Sequence, residues 1–162
     1  MWKYNNKPIY KITDLPKDLQ DSYGFIYEII NLSKGGKTYI GQKQFFSTRS
    51  KVASAKQVKA KGKSAFRRKK IKRGKKAGKM QYYESISKEV AWQSYVGSSE
   101  ELKKDIKNGD EIEKNILSLV PRKGLMLYLE TREILCSGAL ESDMYYNRHV
   151  MNKFYSNNLE DI

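Results

Sequence analysis

From Tyr23 to Asn31 the chain is dominated by β-branched and aromatic residues, and Lys37 to Gly41 has the same character. Such residues favour a pleated, half-buried surface, and Ser33-Lys34-Gly35-Gly36 between the two runs holds the glycines that a reversal needs, so the pattern predicts a β-hairpin. Placing Tyr27 opposite Tyr39 centres the reversal on Ser33, where the turn residues begin, and makes the two phenols near cross-strand neighbours. A helix is predicted to start near Lys43 and run past Arg49. Tyr82 to Val90 is compatible with another helix, and Trp92 to Val96 with a short extended piece. Ser98-Ser99-Glu100-Glu101 reads as a capping box opening a helix that Gly109 ends. Ile112, Ile116 and Val120, with Leu117 and Leu119 between them, predict a third strand stopped by Pro121. Leu125 to Ser137 has the strongest helical pattern, with Gly138 at its C-cap. Residues 1–22 are polar, carry Pro8 and Pro16, and read as an extension wrapped on the domain. The sum is one α/β (α+β) domain with a short central antiparallel sheet of about three strands flanked by helices.

Charge adds a basic insertion to this picture. The 162 residues carry a formal net charge of +14, and fourteen Lys and Arg with no acidic residue fall between Lys51 and Lys79. The rest of the chain has 18 basic and 18 acidic residues and is formally neutral. A block of like charge repels itself and resists packing, but it suits a polyphosphate, where each neutralised phosphate releases condensed counterion. Lys43, Lys56, Lys59, Lys61, Lys63, Arg67, Arg68, Lys69, Lys70, Lys72, Arg73, Lys75, Lys76 and Lys79 are therefore the candidate contacts to such a partner, the alternative being a solvated tail. Gly62, Gly74 and Gly78 interrupt the block, which predicts a flexible arm that orders on its partner, with a short helix around Ala65 to Arg73. The only cysteine, Cys136, excludes an internal disulfide and a cysteine-rich zinc site, and reads as a small buried residue on a helix. No apolar run reaches membrane-span length and the first residues lack a signal-peptide pattern, so a cytoplasmic protein is expected.

Five features in order along the chain carry a resemblance. Gly24, Ile26 and Tyr27 form the first, with Phe25 interposed; Tyr39-Ile40-Gly41 is the second; Arg49, Glu130 and Asn147 follow. In these residues the chain resembles the GIY-YIG nuclease family, most like its small freestanding, phage-encoded, homing-type members. The resemblance spans roughly 23–155, leaving 1–22 as an extension and 156–162 as a tail. It implies a metal-dependent DNA endonuclease acting on double-stranded DNA. Tyr27 would be the base for the attacking water and Tyr39 a positioning group. Arg49 would clamp the scissile phosphate, and Glu130 would hold Mg²⁺ or Mn²⁺. Asn147 would be structural, and Gly41 would let the strand turn into a helix close to the phosphate.

The residues suit that chemistry to different degrees. A carboxylate oxygen matches a hard divalent ion that keeps several waters, and an arginine fork matches two phosphate oxygens. Glu130 is chosen over Glu133 because its helical neighbours Met126, Leu127 and Ile134 are apolar, and a carboxylate on such a stripe needs a partner. A phenol with a pKa of about 10 is a poor base at neutral pH unless cations stabilise its anion; Arg49, Lys43 and the metal are the candidates. The sole histidine, His149, reads as a loop residue. A second Tyr-x-Gly run, Tyr95-Val96-Gly97, is set aside because no matching strand precedes it at hairpin distance, and Trp92 and Tyr95 read as core aromatics. Two other functions compete: a DNA-binding protein on a nuclease scaffold that no longer cuts, and a basic RNA-binding protein whose hairpin matches by coincidence.

Overall fold

The structure, a computed structural model, describes residues 1–150. It contains β1 (Trp2–Tyr4), β2 (Lys7–Ile9), β3 (Gly24–Asn31), β4 (Lys37–Gln44), β5 (Phe46–Val52), α1 (Ala55–Lys61), β6 (Arg67–Lys70), β7 (Met80–Glu89), α2 (Glu100–Lys107), β8 (Ile112–Val120) and α3 (Lys123–Cys136). These fall into two units, Phe46–Glu89 and the chain on either side of it. Among the described residues no helix is long and apolar enough to cross a membrane. The tail at 156–162 and the last residues of the span 23–155 lie outside the described residues.

The larger unit is built on a five-stranded sheet in the order β2-β1-β8-β3-β4. It is mixed: β1 runs parallel to β8, and the other neighbours are antiparallel. The N-terminal residues therefore widen the sheet beyond the expected three strands. The reason is Trp2, which is buried, packs edge-on against Phe25 and Tyr27 at centroid distances of 5.2 and 5.1 Å, and donates its indole N–H to the Trp92 carbonyl at 3.0 Å. Side chains alternate across the strands. One face carries Phe25 and Tyr27, which Phe45 and Trp92 extend into an aromatic cluster. The other carries Ile26, Ile40 and Val120, which pack on Leu125, Met126 and Ile134 of α3. Fully burying side chains of this size contributes about 1.5–3 kcal/mol each.

The hairpin forms where expected, with the pairing shifted two residues from the expected register, which keeps both tyrosines on one face. Tyr27 pairs with Gly41, and Tyr39 with Ile29, so the two tyrosines are diagonal neighbours. A 3₁₀ turn over Leu32–Lys34 and two left-handed glycines, Gly35 and Gly36 with φ of 65° and 89°, lengthen the reversal. Helices α2 and α3 match their sequence patterns: Ser99 accepts the Leu102 N–H at the start of one, and Gly138 at φ 62° follows the end of the other. Cys136, expected to be buried, is exposed.

The inserted unit departs furthest from expectation. No helix begins at Lys43; β4 continues to Gln44 and the chain then enters β5, which carries Arg49. Residues 82–89 lie in strand β7, and the central part of 65–73 is strand β6. The basic segment is thus a folded three-stranded sheet in the order β5-β7-β6, with α1 alongside, in place of a flexible arm. The physical reason is local. Ser47, Thr48, Ser50 and Val52 are poor helix formers, and Tyr82, Tyr83 and Ile86 supply a β-favouring partner strand. Phe66 is the buried hydrophobic residue of this unit, and Glu84 binds Lys61 and Gln57 of α1.

Candidate active site

Strand β4 is an edge strand, and its free edge is covered by the chain at 144–147. Thr38 N–H donates to the Met144 carbonyl at 2.9 Å, and Tyr146 N–H donates to the Thr38 carbonyl at 2.8 Å. Two residues further on, a side chain takes over: the Asn147 amide accepts the Ile40 N–H and donates to the Ile40 carbonyl, both at 2.9 Å. Asn147 is buried and mimics one residue of a neighbouring strand, which satisfies backbone groups that an edge leaves open. Tyr146 is anchored in turn, donating to Asp105 and accepting from Asn31, each at 2.8 Å. Burial and the Asp105 carboxylate push the Tyr146 phenol up to about 12.

Beside this edge lies a cavity of about 480 Å³ lined by Tyr39 and Ile40 of β4, Ser98 to Glu101 at the start of α2, Glu130 and Ile134 of α3, and residues 146–150. Tyr39 reaches it half-buried, with its hydroxyl 2.7 Å from Ser98 Oγ. Tyr27 is only 1% exposed and does not line the cavity. Its ring lies 6.2 Å from that of Tyr39 and 6.0 Å from that of Tyr95, edge-on to the latter. Gly41 makes this packing possible: a Cβ there would come within 2.5 Å of the Tyr27 hydroxyl and 3.0 Å of the Tyr39 ring. Its role in the fold is clearance for the phenols within a continuing strand, not a turn into a helix.

Electrostatics separates the two tyrosines. Burial drives the Tyr27 phenol well above its ordinary value, and the neighbouring phenols and Glu130 add to this. Burial also raises Tyr39, but the hydrogen bond to Ser98 works against it. Positive charge comes from Lys43, whose ammonium sits 3.7 Å over the Tyr95 ring, and from Lys103, whose charge acts on Tyr95 and Tyr39. The family model described as "Putative endonuclease segE, GIY-YIG domain" matches residues 2–150. The chain belongs to this GIY-YIG family. No curated protein and no solved structure gave a match.

As a GIY-YIG endonuclease the chain is a phosphodiester hydrolase with DNA as its substrate. Of the residues singled out in the sequence, Tyr39, Glu130 and Asn147 meet at one cavity, and Tyr27 and Gly41 lie directly behind Tyr39. Arg49 is carried by the inserted unit, exposed on β5 opposite Ile86. His149, read as a loop residue, is in a loop and lines the cavity. Sequence reasoning missed Tyr95, Gly97 and Ser98. Their signal was visible: a second Tyr-x-Gly run placed directly before a helix cap.

Proposed function

We propose that the chain is a divalent-metal-dependent endonuclease whose reaction takes place at the cavity between β4, the start of α2 and α3. The observation that carries this reading is convergence: Tyr39, Glu130 and Asn147, far apart in sequence, line one open space backed by Tyr27. Among the described residues no three His, Cys, Asp or Glu side chains cluster as a protein-only metal cage. Of the carboxylates lining the cavity, Glu100 pairs with Lys103 and Glu101 with Lys37, and a carboxylate such as Glu130 suits Mg²⁺ or Mn²⁺, which retain waters. Glu130 would hold the ion, which when bound supplies Lewis-acid stabilisation of phosphate charge. Tyr39 presents its hydroxyl to the cavity, Lys43 and Lys103 supply fixed positive charge near the phenols, and Asn147 holds the Ile40 backbone in place.

The inserted sheet supports double-stranded DNA as the partner. Between Phe46 and Glu89 there are sixteen Lys and Arg against Glu84 and Glu89 alone. The register puts Arg67 and Lys69 on one face with Tyr83, and Arg68 and Lys70 on the other with Tyr82, so both faces of the β6 edge are basic. Arg49 joins this set on β5 as a further contact to a phosphate of the DNA. Membership of this endonuclease family fits a phage or mobile-element, homing-type role. The test is supercoiled plasmid with Mg²⁺ or Mn²⁺. Wild type and Glu133→Ala should nick or linearise it, and Glu130→Ala should lose at least about a hundredfold in rate. Loss in Glu133→Ala with activity kept in Glu130→Ala would overturn the choice of carboxylate.

A further inference from the structure

The turn from Tyr95 to Ser98 is the motif that the family pattern leaves without a role, and it touches both phenols of the hairpin. Ser98 Oγ is 2.7 Å from the Tyr39 hydroxyl. The Tyr95 ring packs edge-on against Tyr27, centroids 6.0 Å apart at 86°, and its phenol helps hold the Tyr27 hydroxyl protonated. Between them Gly97 adopts φ 88°, and a Cβ there would stand 3.0 Å from two Tyr39 ring carbons and 3.6 Å from the Tyr27 hydroxyl. Glycine is required on both counts, the left-handed backbone and the close approach.

The turn is itself held from outside. The Lys114 ammonium donates to the carbonyls of Gln93 at 3.1 Å and Tyr95 at 2.9 Å, and the Trp2 indole holds the Trp92 carbonyl. The Lys43 ammonium covers the Tyr95 ring. An exposed serine that only capped a helix would have no reason to meet a cavity-lining phenol, and the helix cap here is Ser99. We propose that Tyr95–Ser98 is a positioning clamp, in which Ser98 fixes the hydroxyl of Tyr39 and Tyr95 that of Tyr27, so that Tyr39 and not Tyr27 is the phenol presented to the scissile phosphate. This presupposes hydrolysis at the cavity, as proposed above.

The experiment is single-turnover cleavage of plasmid with Mg²⁺, together with duplex affinity measured in Ca²⁺, for wild type, Ser98→Ala, Ser98→Thr, Tyr95→Phe, Tyr39→Phe and the double variant Ser98→Ala/Tyr39→Phe. Loss of one positioning contact, the Ser98 hydrogen bond or the Tyr95 hydroxyl beside Tyr27, should slow cleavage about tenfold in Ser98→Ala and Tyr95→Phe with duplex affinity within about twofold of wild type. Ser98→Thr, which keeps a hydroxyl, should recover most of the rate. Because Ser98 acts through Tyr39, the double variant should be no slower than Tyr39→Phe alone. Rates within twofold of wild type for both Ser98→Ala and Tyr95→Phe overturn the clamp, as does a double variant whose losses multiply. Wild type that binds duplex yet cuts with neither Mg²⁺ nor Mn²⁺ overturns the hydrolase reading and the clamp with it; cutting by wild type with unaffected clamp variants overturns the clamp alone.

Discussion

Lys114 is a lysine in the middle of a sheet, 5% exposed, on the strand that pairs with both β1 and β3. It faces the Trp2 ring at 4.6 Å and gives its protons to two carbonyls of the Tyr95 turn. Burial lowers its pKa from 10.5 to about 8. The folded state therefore binds fewer protons than the unfolded state between these values, and stability rises with pH across that window. The buried phenols act in the opposite sense, but only where an unfolded tyrosine ionises, above a pH of about 10. Wild type should accordingly become more resistant to urea between pH 7.5 and 9.5, and Lys114→Met should not, as read from the denaturation midpoint in each buffer. A rise of equal size in both proteins would show that the ammonium carries no such penalty.

At the level of elements, the covered edge of β4 makes a sharper prediction. Asn147→Ala removes both hydrogen bonds to Ile40 and leaves a buried N–H and carbonyl unpaired. The cost should be about 1–3 kcal/mol, with faster amide exchange at Ile40 and little change at Phe25 on the opposite face. The hairpin, β8, α2 and α3 were legible because alternation, caps and turn glycines agreed locally. The pairing was two residues off because a 3₁₀ turn over Leu32–Lys34 cannot be told from a tight reversal by composition. The insert was misread for a different reason: lysines and arginines tolerate helix and strand alike, and the strands of β5-β7-β6 are fixed by one another rather than by their own sequences. The site was half legible. Tyr39, Glu130 and Asn147 could be chosen in order along the chain, whereas Tyr95 and Ser98 were marked only by a Tyr-x-Gly run ahead of a helix cap, and it takes the tertiary contacts to bring that run to Tyr27 and Tyr39.

Over the whole molecule, charge and chemistry are divided between the two units. The inserted unit carries a net +14, equal to that of the entire chain, so the larger unit is neutral. Replacing residues 46–89 with a short glycine linker should leave a cooperative melt of the larger unit while weakening duplex binding and lowering the slope of log affinity against log salt by several units. A slope unchanged by the deletion would place the phosphate contacts elsewhere.

The junction between the units has a consequence for how such a chain can change over time. Phe45 and Val90, the residues that bracket the insert, are joined by a backbone hydrogen bond of 2.9 Å. The host fold therefore asks only that a loop be closed there, and the entropy of closing a loop grows slowly with its length. A lineage could lengthen, trim or exchange everything between those two residues, and so revise which DNA is engaged, while the tyrosines and Glu130 stayed as they are.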